Sequence, residues 1–182
     1  SLSQGPHFRN SILFTAGIDS TGTIYLIWLD CRFEPNCSSN DLVMMTSPDG
    51  STWSSIRRIP LTPTGTGITY SVIGLGIDQD TSGATAHLGL AFYYYTANCF
   101  NNCNLSVGFA SSLNGGDTWS ANMRLAGPFP VDWAAAGDNS VGDYITVSFS
   151  GGRAFPIFVV GKAPGGGQLN EAMYTMAGGL AV

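Results

Sequence analysis

Charge is what this sequence has least of. Only 10% of its 182 residues are Asp, Glu, Lys or Arg, and the net charge is −5 with a pI near 4.6. An acidic, charge-poor chain offers no basic surface for phosphates, which argues against nucleic acid as a partner. Long apolar runs are missing too: none approaches the ~20 residues of a membrane-spanning helix. Disorder needs low hydrophobicity and high charge, whereas 44% of this chain is hydrophobic. Cys-x-x-Cys spacing is absent among the four cysteines, and that spacing is the usual mark of a zinc site. The first residues do not read as a secretory leader. The chain begins Ser1-Leu2-Ser3 rather than with Met, as expected of a mature product, a proteolytic piece or a partial chain.

What is present is glycine, 24 residues of it, set between short alternating apolar runs. That profile is all-β and turn-rich, and the length suits one ordinary domain. The stretch Ser47-Pro48-Asp49-Gly50-Ser51-Thr52-Trp53 recurs as Ser112-Leu113-Asn114-Gly115-Gly116-Asp117-Thr118-Trp119, an offset of 65 residues counted from Ser47 to Ser112. Each copy lies between two strand-like runs, where a polar, Gly-bearing knot reads as a hairpin turn. Asp49 or Asn114 can accept hydrogen bonds from amides just downstream. Gly50, Gly115 and Gly116 tolerate positive φ, and Trp53 or Trp119 can pin the turn to the sheet. The remaining runs repeat in step. Ile24–Leu29 answers to His87–Phe92 and Ala154–Val160; Asp41–Ser47 answers to Asn104–Ser111 and Asn170–Met176; Ser11–Asp19 answers to Ser71–Asp78 and Tyr144–Phe149. Fixed-period similarity signals a repeat architecture, and about four short strands per unit is the size of a propeller blade. Three units are counted, about 8–62, 66–127 and 141–182. The third lacks the Trp-bearing turn and shows no evident fourth strand.

The duplicated turn resembles the Asp box, Ser-x-Asp-x-Gly-x-Thr-Trp, of the bacterial neuraminidase (BNR) repeat found in sialidases and their non-catalytic relatives. The second copy has Asn for Asp and the first is one residue short. The resemblance implies a sialidase-type β-propeller with Ser47, Asp49, Gly50, Thr52, Trp53, Ser112, Asn114, Gly116, Thr118 and Trp119 in structural roles. Three blades would make half of a six-bladed ring. The other half is expected from a segment of similar size that precedes this one or, less favoured, from a second copy.

The cysteines form two local pairs in equivalent loops, Cys31 with Cys37 and Cys99 with Cys103. Three pairings are formally possible and a four-Cys zinc site is the rival. The simplest reading is two small disulfides in a secreted protein. Sequons at Asn36 and Asn104 fall in or beside those loops and suit a glycoprotein. Asp78-x-Asp80-x-x-Gly83 resembles a calcium loop but is short of ligands, so an Asx turn is expected there, with no metal and no cofactor.

In antiparallel blades the second-to-third loops and the links between blades share one end. By resemblance that end binds ligand. It gathers Arg9, Asp30, Arg32, Glu34, Tyr94, Asp132, Trp133 and Lys162, and aromatic faces beside directional polar groups are what a carbohydrate or glycoconjugate requires. Tyr93 to Tyr95 read equally well as packing between blades. The link from Gly127 to Tyr144 is read as a long loop, which usually has a function when ordered. Sialidase chemistry needs a Tyr nucleophile, a carboxylate that activates it and a separate acid. Tyr144 with Asp143 or Asp138 could imitate the first two, yet no residue matches the family's catalytic motifs one by one. Arg58 is tempting as a substrate-carboxylate ligand. It repeats as Arg124, five residues after Trp119, and so reads as a solvated outer-strand position whose stem packs down. Glycan binding without hydrolysis is therefore the expected function. An exo-acting glycoside hydrolase with part of its catalytic set outside this chain, and an extracellular protein-binding scaffold, are the alternatives.

Overall fold

The computed structural model describes residues 13–97, 99, 103–134, 141 and 144–182. The described chain is all-β, arranged in three four-stranded antiparallel sheets. Sheet one holds β1 (Phe14–Ile18), β2 (Ile24–Asp30), β3 (Asp41–Ser47) and β4 (Arg57–Arg58) in that order. Sheet two holds β5 (Ile68–Ile77), β6 (Leu88–Thr96), β7 (Asn104–Ser112) and β8 (Met123–Pro130). Sheet three holds β9 (Thr146–Ser150), β10 (Arg153–Gly165), β11 (Gln168–Thr175) and β12 (Leu180–Ala181).

Periodicity explains the layering. In β2 the residues Tyr25, Ile27 and Leu29 are buried while Ile24, Leu26 and Trp28 are half-buried, a period of two that puts one face on the core. β5 and β6 are buried along nearly their whole length, because sheet two lies between the other two. One apolar layer joins Tyr25, Ile27, Leu42 and Met44 to Leu75, Leu88, Leu90 and Phe92. The other joins Tyr93, Leu105, Val107 and Phe109 to Val147, Ala154 and Phe158. A strand covered on both faces loses the alternation that marks a half-exposed one. In β5 a bulge at Val72 (φ +36°) shifts the register between Ser71 and Ile73.

The inner strands β1, β5 and β9 run side by side in the same direction. The Leu75 amide donates to Thr15 Oγ1 at 3.2 Å, and a Cβ on Gly17 would meet the Ile77 side chain. On the other flank, a Cβ on Gly74 would strike the Ile145 carbonyl and one on Gly76 the Val147 carbonyl, so only glycine permits this approach. With inner strands parallel, equivalent loops share an end. Residues 31–40, 97, 99 and 103 and the described parts of the links between sheets lie at one end, and the two Trp-bearing turns lie at the other.

Three sequence expectations are corrected. Gly127 to Pro130 belong to β8, where Leu105 pairs with Phe129 and Asn104 with Pro130, and are not loop. Bulges in β8 accommodate two prolines on an edge strand that need not donate a ladder bond. Sheet three does have a fourth strand. A turn at Gly178 and Gly179 folds Leu180–Ala181 back onto Arg153 and Ala154, and Arg153 fixes the turn by donating to both glycine carbonyls. β12 thus continues the line of β11 along β10 and leaves β11 at the outer edge. The third correction concerns Arg58 and belongs to the site.

Candidate functional site

The loop end is built on two disulfides, Cys31–Cys37 and Cys99–Cys103. In sheet one, Asp30 closes β2 and is buried at 1% exposure. Its carboxylate accepts from the Arg32 amide (2.9 Å), Arg32 Nε (2.9 Å) and the Trp28 indole N–H (3.3 Å), with Arg32 Nη2 at 2.8 Å. Burial pushes the Asp30 carboxyl up, but the hydrogen bonds from Arg32 and Trp28 outweigh it and the pKa falls below the ordinary value. The Arg32 side chain remains 45% exposed. It is a cation fixed at its root, with donors still open to solvent.

Next to it Arg58 lies 15% exposed. Its Nε reaches Asp41 at 2.7 Å, one Nη donates to the Thr62 carbonyl, and Glu34 stands 3.8 Å away. Glu34 also accepts from the Gly65 amide at 2.8 Å, tying the Cys31–Cys37 loop to the link into sheet two. Burial raises the Asp41 pKa, with Glu34 adding to that effect and Arg58 opposing it. Arg58 is therefore not on a solvated face. Asp41 and Glu34 are buried carboxylates, and a nearby guanidinium is what makes their burial tolerable. The counterpart Arg124 is exposed, because the carboxylates of sheet one have no equivalents in sheet two.

The tyrosines pack inward to different degrees. The Tyr93 hydroxyl donates to the Val159 carbonyl (2.9 Å) and accepts from the Val159 amide (2.8 Å), stitching sheet two to sheet three. Tyr95 is buried in the same layer, and burial pushes its hydroxyl up to about 12. Tyr94 is half-buried against the first layer, its ring centroid 6.1 Å from Phe92. Val131–Trp133 form a 3₁₀ turn whose first amide donates to the Cys103 carbonyl, leaving Asp132 exposed and Trp133 half-buried against the second layer. Lys162 lies over the Tyr174 ring at 5.5 Å. The sequon residues Asn36 and Asn104 are exposed, and Tyr144 is 87% exposed. Arg9, Asp138 and Asp143 lie outside the described residues. The structure thus brings Asp30, Arg32 and Trp28 together, and Glu34, Asp41 and Arg58 together. Asp132 and Trp133 sit at the same end on sheet two.

At the opposite end the two Trp-bearing turns share one hydrogen-bond plan. The Ser47 hydroxyl accepts from the Gly50 amide at 2.8 Å, and Ser112 does the same for Gly116 at 2.9 Å. Asp49 accepts from the Ser51 and Thr52 amides and from the Thr52 hydroxyl, which holds its carboxyl well below the ordinary value. Asn114 accepts from the Thr118 amide at 2.9 Å. Trp119 donates its indole N–H to Gly116 and packs on the first layer, while Trp53 is 37% exposed.

The same end contains a cross-sheet clamp centred on Asp19, which is 4% exposed. Asp19 accepts from the Thr21 amide and hydroxyl, the Thr23 amide, the Tyr25 hydroxyl (3.0 Å) and, across the sheets, the Gly83 amide (2.7 Å). The clamp is visible in the sequence only as a repeated turn, Asp19 beside Asp78. Asp78 instead accepts from the Asp80 amide, an Asx turn.

No family model and no curated protein matches the chain. Among solved structures it is similar to one described as Hadza microbial sialidase Hz136, at 12% identity and a TM-score of 0.49, over 80% of this chain and 32% of that one. The chain thus spans about a third of the length of that sialidase.

Proposed function

We propose that the chain is a secreted, sialidase-type β-propeller segment that binds glycans at its disulfide-loop end without hydrolysing them. The propeller reading is supported by three antiparallel sheets whose first strands run parallel and adjacent, with the two Trp-bearing turns at matching places. In this reading the blades are about residues 8–62, 66–127 and 141–182. Phe14 (66% exposed), Ile18 (55%) and Met173 (59%) on the two outer sheets would pack against further blades. The two disulfides suit an oxidising, extracellular compartment.

Glycan binding rests on one observation above the rest. Arg32 is oriented by a buried Asp30 that Trp28 also holds, and the exposed guanidinium points its remaining donors outward. A pre-positioned planar donor loses little entropy on pairing with sugar hydroxyls or a sugar carboxylate. The exposed Tyr144, just before β9, favours the second reading, an exo-acting hydrolase completed by residues outside this chain. A glycan microarray probed alongside a fluorogenic sialoside assay separates the two. Array binding with no release of sugar is the expected result. Release of sugar would install the hydrolase, and an array with no binding would remove the glycan reading.

A further inference from the structure

A cleft opens at the end of the molecule opposite the disulfide loops, between sheets one and two. It has a volume of about 180 Å³ and is lined by Thr23, Tyr25, Thr46, Arg57, Asn114 and Asp117, with Gly83 and Gly115 contributing backbone. Arg57 of β4 reaches across to Asp117 at 2.5 Å. Its Nε is fully buried yet has no hydrogen-bond partner, and a buried donor left unmade is costly. Tyr25 backs the cleft from a buried position, its hydroxyl held between the Asp19 carboxylate (3.0 Å) and the Gly83 carbonyl (3.3 Å). The lining therefore offers donors at Arg57 and the two threonines, and an acceptor at Asp117.

Charge and size narrow the ligand. Asp117 already neutralises Arg57, and Asp19 lies just behind Tyr25, so an anionic ligand would meet two carboxylates and one spent cation. A neutral hydroxyl group can instead accept from the exposed part of the Arg57 guanidinium and donate to Asp117. The volume corresponds to about six waters. That suits a single sugar ring and is below the ~300 Å³ at which pockets for drug-sized ligands begin. We infer that this cleft is a binding site for one neutral sugar ring, distinct from the disulfide-loop end and drawing on both sheets.

The test is an amide NMR titration of the full chain with methyl glucoside, methyl galactoside and methyl mannoside, and with methyl glucuronide as the charged control. At least one neutral glycoside is expected to give saturable shifts at Thr46, Gly83, Ala84 and Gly115, in the millimolar range expected of so small a ligand. Arg57→Met should weaken it about tenfold or more, whereas Arg32→Ala at the other end should leave it unchanged. Because Arg57→Met also breaks an inter-sheet ion pair, Ala84→Tyr serves as a second variant. It fills the cleft from an exposed position, leaves Arg57 and Asp117 in place, and should abolish the shifts. Absence of saturable shifts at the cleft with every neutral glycoside, binding that survives Ala84→Tyr, or tighter binding of the glucuronide than of the glucoside would each overturn the inference.

Discussion

Replacing Asp19 with Asn tests the clamp that joins sheets one and two. The substitution keeps the oxygen that serves Thr21 and Thr23 and swaps the one that serves Tyr25 and Gly83 for an amide NH₂. Two donors in a buried site then lose their acceptor, at about 1–3 kcal/mol each when left unpaired. The proton equilibrium gives an independent figure. Burial pushes the Asp19 carboxyl up, but hydrogen bonds from Gly83, Thr23 and Thr21 bring it down to about 2 from 3.8. A fall of that size corresponds to about 2 kcal/mol. Because the folded pKa is depressed, that stability is fully present above the unfolded pKa and is lost as pH falls through the folded one. In urea unfolding followed by Trp fluorescence, the Asp19→Asn variant should be less stable than wild type by about 2–4 kcal/mol at neutral pH. The gap should hold down to about pH 4 and close towards pH 2. A gap below about 0.5 kcal/mol at neutral pH, the size of an ordinary surface change, would refute the clamp. So would a gap that does not change on acidification.

Other perturbations have equally definite outcomes. Arg58→Met strands Glu34 and Asp41 and should cost about 3–5 kcal/mol by chemical denaturation, while Arg124→Met on the exposed equivalent strand should stay within about 0.5 kcal/mol; equal costs would sink the ion-pair account. Tyr93→Phe removes the hydroxyl that bonds Val159 in both directions and should cost about 1–3 kcal/mol by the same assay, and a neutral result would mean that the hydroxyl does not tie the sheets. Non-reducing peptide mapping should recover Cys31–Cys37 and Cys99–Cys103 as separate local links, and removing either pair should lower stability by about 2 kcal/mol for loops this short; a link between the two loops would contradict the assignment. Light scattering should show association through the outer sheet faces, and a monodisperse monomer of 19.1 kDa would refute the proposal that those faces pack against further blades.

The strands are legible in the sequence because turn chemistry and repetition reinforce each other. The serines, Asp49 or Asn114, and the glycines of the two Trp-bearing turns are the residue types such a turn needs, and the runs around them recur in register. The cysteine pairs are legible because loops that short admit few partners. Legibility fails where a residue's role depends on a neighbouring sheet. Arg58 and Arg124 occupy the same repeat position, but only Arg58 faces Asp41 and Glu34, and the repeat cannot show that asymmetry. The Asp19 to Gly83 bond spans 64 residues and joins turns that local patterns treat as independent. Gly127 to Pro130 read as loop because two prolines weaken a strand assignment, whereas an edge strand tolerates them. Trp28 reads as one more apolar strand residue, and its indole N–H matters at the site only because β2 ends two residues later at Asp30.

The proposed glycan site depends most directly on Arg32. The measurement is calorimetric titration of a glycan that binds on the array into wild type, Arg32→Ala and Asp49→Ala proteins, each first shown to be folded. Losing a charged hydrogen-bond donor should weaken binding by about tenfold or more in Arg32→Ala. Asp49→Ala, at the opposite end, should melt lower yet bind as wild type does. Wild-type affinity in Arg32→Ala, or lost binding in a folded Asp49→Ala protein, would contradict the placing of the glycan site at the disulfide-loop end.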